Sequence, residues 1–172
     1  MRGSIFVGTS LDGFIARPSG ALDFLPDDPE PHGFDEFLAS VDALVWGRKT
    51  YDIVHEFGTW LYGEKPVFVL SSRDVKEPPT GAVVERMSGS PVDIVSALEK
   101  RGIGHIYVDG GVTIQQFLRA GLIQRLIITR VPVLIGSGIP LFGTLDRDVS
   151  LTHVATRPFP SGLVQSEYEV AG

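Results

Sequence analysis

The stretch His105-Ile106-Tyr107-Val108-Asp109-Gly110-Gly111-Val112-Thr113-Ile114-Gln115-Gln116-Phe117-Leu118 changes period midway. Its first four residues read as a short buried strand that stops at Asp109-Gly110-Gly111. Ile114, Phe117 and Leu118 then recur at helical spacing, and Gly121 stands where a left-handed residue closes a helix. A strand that turns through glycines directly into a helix is the unit of an α/β sheet.

The same pattern recurs on both sides. Ala43 to Trp46 is a strand ending at Gly47, and Arg48 to Phe57 is helical. Pro66 opens the strand Val67-Phe68-Val69-Leu70, which stops at Ser71-Ser72, and Ala82 to Glu85 is a brief strand. Ser90-Pro91-Val92-Asp93 carries an N-cap, a first-turn proline and the far half of a capping box, predicting a helix to about Arg101. Upstream, Ile5-Phe6-Val7 is a strand ending at Gly8-Thr9-Ser10, and Phe34, Phe37, Leu38 and Val41 mark a helix. Downstream, Leu122 to Val131 is a long β-rich run, and strands near Leu151–Thr156 and Leu163–Val170 have no helix between them. The expectation is an α/β fold with a mixed, mostly parallel sheet covered on both faces and an antiparallel hairpin at one edge.

Asp12 to Gly33 is rich in Gly, Pro and Asp and is broken by Pro18, Pro26, Pro29 and Pro31. A structureless connection of that length is either a binding loop or lid, or a surface excursion.

The 172 residues suit one domain spanning 1–172, and the chain shows no internal repeat. With 15 Lys and Arg against 21 Asp and Glu, the net charge is −6 and no basic stripe exists, which argues against nucleic-acid binding. Cysteine is absent, excluding disulfides and thiolate metal sites. No apolar run reaches the length of a membrane span, and Met1 to Ile5 runs into a strand without a leader pattern. The sequence reads as cytoplasmic. His32, His55, His105 and His153 form no metal-ligand spacing, and each reads as structural.

Ligands of open α/β sheets bind beyond the carboxyl ends of the strands. Four such ends carry small or polar turns here: Gly8-Thr9-Ser10, Gly47-Arg48-Lys49-Thr50, Ser71-Ser72-Arg73 and Asp109-Gly110-Gly111. Two open directly into helices, whose N-termini favour anions. Gly47 permits close approach, while Arg48 and Thr50 add a charge and a hydroxyl. Gly110-Gly111 gives a second cradle, and Ser72-Arg73 suits a phosphate monoester. Three anion sites along one sheet edge suggest NADPH rather than NADH. Alone, Gly-Gly before a helix is more often only a tight turn, Ser-Ser-Arg after a strand mostly a solvated loop, and Gly-Arg-x-Thr common as simple capping; the arrangement carries the signal. Gly8-Thr9-Ser10-Leu11-Asp12 lacks the last glycine of a nucleophile elbow, and Asp42 stands where a phosphate loop needs its first glycine.

In this order and approximate spacing, these segments resemble the dihydrofolate reductase superfamily, and more closely its riboflavin-pathway reductase branch. Ser10-Leu11-Asp12-Gly13-Phe14-Ile15-Ala16 resembles the branch's first loop, and Gly136-Ser137-Gly138-Ile139-Pro140-Leu141-Phe142 a later one. The resemblance covers nearly the whole chain. It implies a three-layer αβα architecture with a sheet of about eight strands. It also implies NADPH-dependent hydride transfer to a pterin- or aminopyrimidine-like ring, or to a carbonyl. In that likeness Gly47, Arg48, Lys49 and Thr50 hold the pyrophosphate together with Gly110, Gly111, Val112, Thr113 and Ile114. Leu70 packs near the adenine, and Ser71, Ser72 and Arg73 meet the 2′-phosphate. Val7, Gly8 and Ile15 lie beside the nicotinamide. Asp12 becomes the polar candidate of the substrate pocket, or else a turn former, and Phe14 and Trp46 line that pocket or belong to the core. Dihydrofolate reductase proper carries an acidic residue on its first helix; Asp35 and Glu36 lie near the right place without the surrounding motif. A non-catalytic NADP-binding module of the same fold is the alternative reading. A homodimer is expected through the apolar run from Leu122 to Ile135.

Overall fold

The computed structural model describes residues 1–28 and 30–172. Pro29, one of the breaks expected in the proline-rich stretch, lies outside the described residues. The first half of the chain forms β1 (Arg2–Ser10), β2 (Phe14–Ala16), α1 (Phe34–Ser40), β3 (Ala43–Gly47), α2 (Arg48–Glu56), β4 (Val67–Leu70) and β5 (Val84–Met87). The second half forms α3 (Pro91–Lys100), β6 (His105–Asp109), α4 (Gly111–Arg119), β7 (Arg125–Val131), β8 (Ile139–Pro140), β9 (Leu151–Pro158) and β10 (Val164–Val170).

Eight strands make one sheet in the order β5-β4-β3-β6-β1-β7-β10-β9. Pairings from β5 through β7 are parallel, and β10 runs antiparallel to both β7 and β9. Alternation along each strand sorts the core into two layers. Ala43, Val45, Ile106 and Val108 pack with Ile94, Leu98, Ile114 and Phe117 of α3 and α4. Leu44, Trp46 and Tyr107 pack on the opposite face with Phe37 of α1 and Tyr51 and Val54 of α2. The three-layer, mostly parallel arrangement is the one the alternation of elements predicts. Phe117 is fully buried, so truncating it to Ala costs roughly 3–5 kcal/mol.

The local signals hold where they are strongest. Ser90 Oγ accepts the Asp93 N–H at 3.2 Å and the Asp93 carboxylate accepts the Ser90 N–H at 3.2 Å, closing the capping box. Gly121 follows α4 with φ +71°.

Three expectations need correction. The stretch 12–33 is not structureless, because β2 pairs with β8 in a small second sheet. The brief strand expected at 82–85 forms at 84–87 instead. The apolar run from Leu122 does not begin a strand either: the Leu122 N–H bonds the Phe117 carbonyl at 2.9 Å, and β7 starts only at Arg125. Nor is that run an edge, since β7 lies between β1 and β10. The free edges are β5 and β9, and all 8 residues of β9 are exposed.

Candidate functional site

A cleft of about 610 Å³ opens beyond the carboxyl ends of β1, β3, β4 and β6. Its polar end is built from two helix starts. Gly47 is the N-cap of α2 and Gly110 that of α4, and neither N-cap supplies a side-chain cap. First-turn N–H groups in such helices need partners from elsewhere. By contrast α3, which does not line the cleft, is closed by its capping box.

The two starts interlock. A Cβ on Gly47 would stand 2.7 Å from Thr113 Oγ1, and one on Gly110 would stand 2.7 Å from Thr50 Oγ1 and 3.6 Å from the Gly47 nitrogen. Gly110 has φ +103°, a region that only glycine enters cheaply. The glycines are therefore required by backbone geometry and by close packing of the threonines.

Most expected cofactor residues converge here. Val7, Gly8, Ile15 and Leu70 line the cleft, as do Gly47, Arg48, Lys49 and Thr50. Gly110, Gly111, Val112 and Thr113 line it from the other side. Arg48 is partly engaged, donating to Asp52 at 2.9 Å one turn on. Leu22 and Leu25, from the stretch 17–33, add apolar wall together with Ile53 of α2 and Phe57, the residue that caps it.

Other expected residues lie elsewhere. Ser71, Ser72 and Arg73 continue past Leu70 outside the cleft wall, with Ser72 and Arg73 exposed. The Ser71 hydroxyl accepts the Arg73 N–H at 3.0 Å and donates to the Arg73 carbonyl at 2.7 Å, folding this turn on itself. Ile114 is fully buried in the α3/α4 layer. Trp46 is fully buried in the other layer, and its indole N–H has no hydrogen-bond partner among the described residues. Phe14 pairs with Pro140 in the small sheet. Asp12 is exposed and accepts the N–H groups of Ile135 at 3.2 Å and Gly136 at 2.8 Å. A Ser10 hydrogen bond, with these backbone donors, holds its carboxyl below the usual range. Both Asp12 carboxylate oxygens are thus engaged by backbone of the 133–141 segment, outside the cleft wall.

The cleft also contains groups that sequence reading passed over. Asp109, the last residue of β6, lines the cleft beside the two uncapped helices. Its Oδ1 accepts the Gly110 N–H at 2.8 Å, and its Oδ2 accepts from the Tyr107 phenol at 3.2 Å. That phenol also reaches the Phe6 carbonyl at 3.1 Å. Burial pushes the Asp109 carboxyl up to about 6, against the lowering effect of those two donors. The Tyr107 phenol is raised by burial and then by Asp109. Tyr62, also in the cleft wall, is pushed up to about 12 by burial and then by the Asp109 charge. Asp109 stood in plain view as part of a turn, but its desolvation is a tertiary effect. Tyr62 lies in a Gly-bounded segment without periodicity and gave no signal.

On α1, Asp35 and Glu36 are exposed, while Phe34 and Phe37 pack on Phe6 with ring centroids 5.4 and 5.1 Å away. The carboxyl in this cleft comes from β6. Among the described residues, no group of three or more His, Asp or Glu side chains is placed to hold a metal, and no helix is long and apolar enough to cross a membrane.

The mixed eight-stranded sheet, mostly parallel with an antiparallel C-terminal pair, is of the dihydrofolate reductase-like fold class. Within it, the chain belongs to the RibD C-terminal domain family, which it matches over residues 4–165. It is 30% identical over 179 residues to the uncharacterized protein YyaP of Bacillus subtilis, covering 96% of this chain and 93% of that one. The crystal structure of a protein provisionally assigned to riboflavin biosynthesis, from Shewanella sp. PV-4, is 39% identical with a TM-score of 0.91 over 100% of both chains. Dihydrofolate reductase from Enterococcus faecalis, solved with NADP(H), shares the fold at 18% identity and a TM-score of 0.66, over 100% of this chain and 97% of that one. The fold is thus of reductase type.

Proposed function

We propose that this protein is an NADPH-dependent reductase that delivers hydride to a small heteroaromatic or carbonyl substrate. The observation that carries this reading is the pair of helix starts, Gly47 and Gly110, open to one cleft and locked together by Thr50 and Thr113. A side chain at either glycine would strike the threonine hydroxyl of the other start and push apart two helix N-termini whose first-turn N–H groups suit a pyrophosphate. The residues present therefore fit the coenzyme. Gly47 to Thr50 and Gly110 to Thr113 would hold its pyrophosphate, and Arg73, exposed at the end of β4, would meet the 2′-phosphate. When bound, the coenzyme supplies a hydride.

Reduction of a C=N or C=O bond also needs a proton. Asp109 is suited to hold one: with its carboxyl protonated, its O–H can donate to the Tyr107 oxygen while that phenol donates to the Phe6 carbonyl. With the carboxyl ionised, the phenol turns its proton to Asp109. Both protonation states are thus satisfied without movement, which suits a general acid. Leu22, Leu25, Ile53 and Phe57 give the cleft an apolar wall.

Titration with NADPH and NADH tests the reading. NADPH is expected to quench Trp emission and to bind at least tenfold more tightly than NADH. Equal binding, or none, overturns the cofactor assignment. Following NADPH absorbance across pterins, pyrimidines and carbonyls then identifies the substrate. We further propose that the protein is a homodimer, formed through the exposed edge β9 rather than through the run beginning at Leu122.

A further inference from the structure

The sheet parts between β1 and β6. Their pairing ends at Ser4 and Tyr107, whereas β1 follows β7 as far as Ser10 and β6 follows β3 as far as Asp109. Beyond the parting, Phe6, Val7 and Gly8 on one strand and Asp109 on the other line the cleft. The Tyr107 phenol spans the gap, 3.1 Å from the Phe6 carbonyl and 3.2 Å from Asp109 Oδ2. Its ring is buried and held in place. Phe37 and Phe34 of α1 meet it in edge-to-face arrangements, with centroids 5.1 and 6.3 Å away. Burial keeps the phenol from ionising, so its single proton serves two acceptors in turn.

We propose that Tyr107 is a positioning residue of this cleft: by switching its hydroxyl between the Phe6 carbonyl and the ionised Asp109, it decides up to which pH the acid keeps its proton. The inference rests on the reductase reading above and adds the group that regulates its proton donor. The ionised carboxylate takes the phenol proton in a charge-assisted bond, whereas the protonated carboxyl exchanges only neutral ones. The phenol therefore favours the ionised form. Without the hydroxyl, the carboxylate keeps the Gly110 N–H as its remaining donor among the described residues. Tyr62, Arg48 and Lys49 share the cleft wall, but burial, the Gly110 N–H and Tyr107 set the acidity of Asp109. Removing the hydroxyl thus widens the working range of the acid upward instead of abolishing it. A phenol that served packing alone would leave the titration unmoved.

The test is a carbon-13 NMR titration of the aspartate carboxyl groups in the full-length protein without coenzyme. Asp109 is assigned by the loss of its signal in Asp109→Asn. The wild-type midpoint is expected at about 6. Tyr107→Phe keeps the ring packing and should raise that midpoint by about 1 pH unit. Tyr62→Phe removes the other phenol that the Asp109 charge influences and should move it less than half as far. If Tyr107→Phe does not fold, 3-fluorotyrosine incorporated into the Tyr62→Phe protein takes its place; the stronger donor should lower the midpoint. A midpoint unmoved or lowered in Tyr107→Phe, or unmoved by the fluorinated ring, overturns the inference and leaves the reductase reading intact. Failure to bind NADPH overturns the reductase reading, and with it the role of the acid, whatever the midpoints.

Discussion

Gly110 and Thr50 touch so closely that a methyl group on the glycine would stand 2.7 Å from the threonine hydroxyl. Gly110 also has φ +103°, where an L side chain is strained. Gly110→Ala is therefore expected to destabilise the fold by about 1–3 kcal/mol. It should also weaken NADPH by more than tenfold, because relief of the clash moves one helix start away from the other. Denaturant unfolding and a coenzyme titration on the same variant measure the two effects, and full NADPH affinity would count against the cradle.

Arg73 is exposed at the end of β4, in a turn closed by Ser71. Arg73→Ala should cost roughly 1.5–3 kcal/mol of NADPH binding, as for a hydrogen bond to a charged group, and leave NADH unchanged. If both coenzymes weaken alike, this guanidinium does not read the 2′-phosphate.

Asp109 has its carboxyl raised from 3.8 to about 6. The folded state therefore binds the proton more tightly than the unfolded state, and this group's contribution to stability falls as pH rises from about 4 to about 6. The stability difference between Asp109→Asn and wild type should consequently shift in favour of the variant by on the order of 3 kcal/mol between pH 4 and pH 7. Unfolding at a series of pH values reads this slope even if the substitution adds a constant offset. A flat difference would mean that the carboxyl is not desolvated. Turnover should fall above pH 6 for the same reason, as the acid loses its proton.

Asp42 sits between α1 and β3 and accepts the N–H groups of Gly104 and His105, both at 2.8 Å. These donors hold its carboxyl low. Its contribution is present at neutral pH and is lost as the pH falls through the depressed folded value. Asp42→Ala should cost about 1–2 kcal/mol at pH 7, after allowance for its exposure, with little effect on coenzyme binding. Loss of coenzyme affinity without loss of stability would contradict this purely architectural role.

An unprotected strand edge is a ready template for another chain, and β9 is exposed along its whole length. Light scattering at micromolar concentration should give about twice the 18.7 kDa of one chain. A monomer, or a dimer unaffected by Val154→Lys on β9, would remove that assignment.

The alternation of strands and helices was legible because each element advertises itself locally: the box at Ser90 and Asp93, the stop at Gly121, the glycines ending β3 and β6. What escaped depends on distant partners. The 3-residue β2 and 2-residue β8 exist only through each other, across more than a hundred residues. Leu122 and Ile123 look like strand because they are apolar, yet they complete the core beneath a turn whose Gln124 N–H bonds Gly3. In the site, backbone-driven features such as Gly47 and Gly110 could be read from residue type. Trp46 could have been placed in the core, since alternation puts it on the face of Leu44. The altered acidities of Asp109 and Tyr62 could not, because each is set by what surrounds the side chain rather than by its neighbours in sequence.

The tie from Asp12 to the Ile135 and Gly136 amides has a dynamic consequence. Leu11 N–H to Val133, Leu141 N–H to Gly13 and the β2–β8 pairing reinforce the same junction. Segments 11–16 and 133–141 are thereby welded into one rigid slab that forms a stationary jaw. Ile15 and Ile139, which line the cleft from these segments, therefore keep their places relative to one another whatever occupies it.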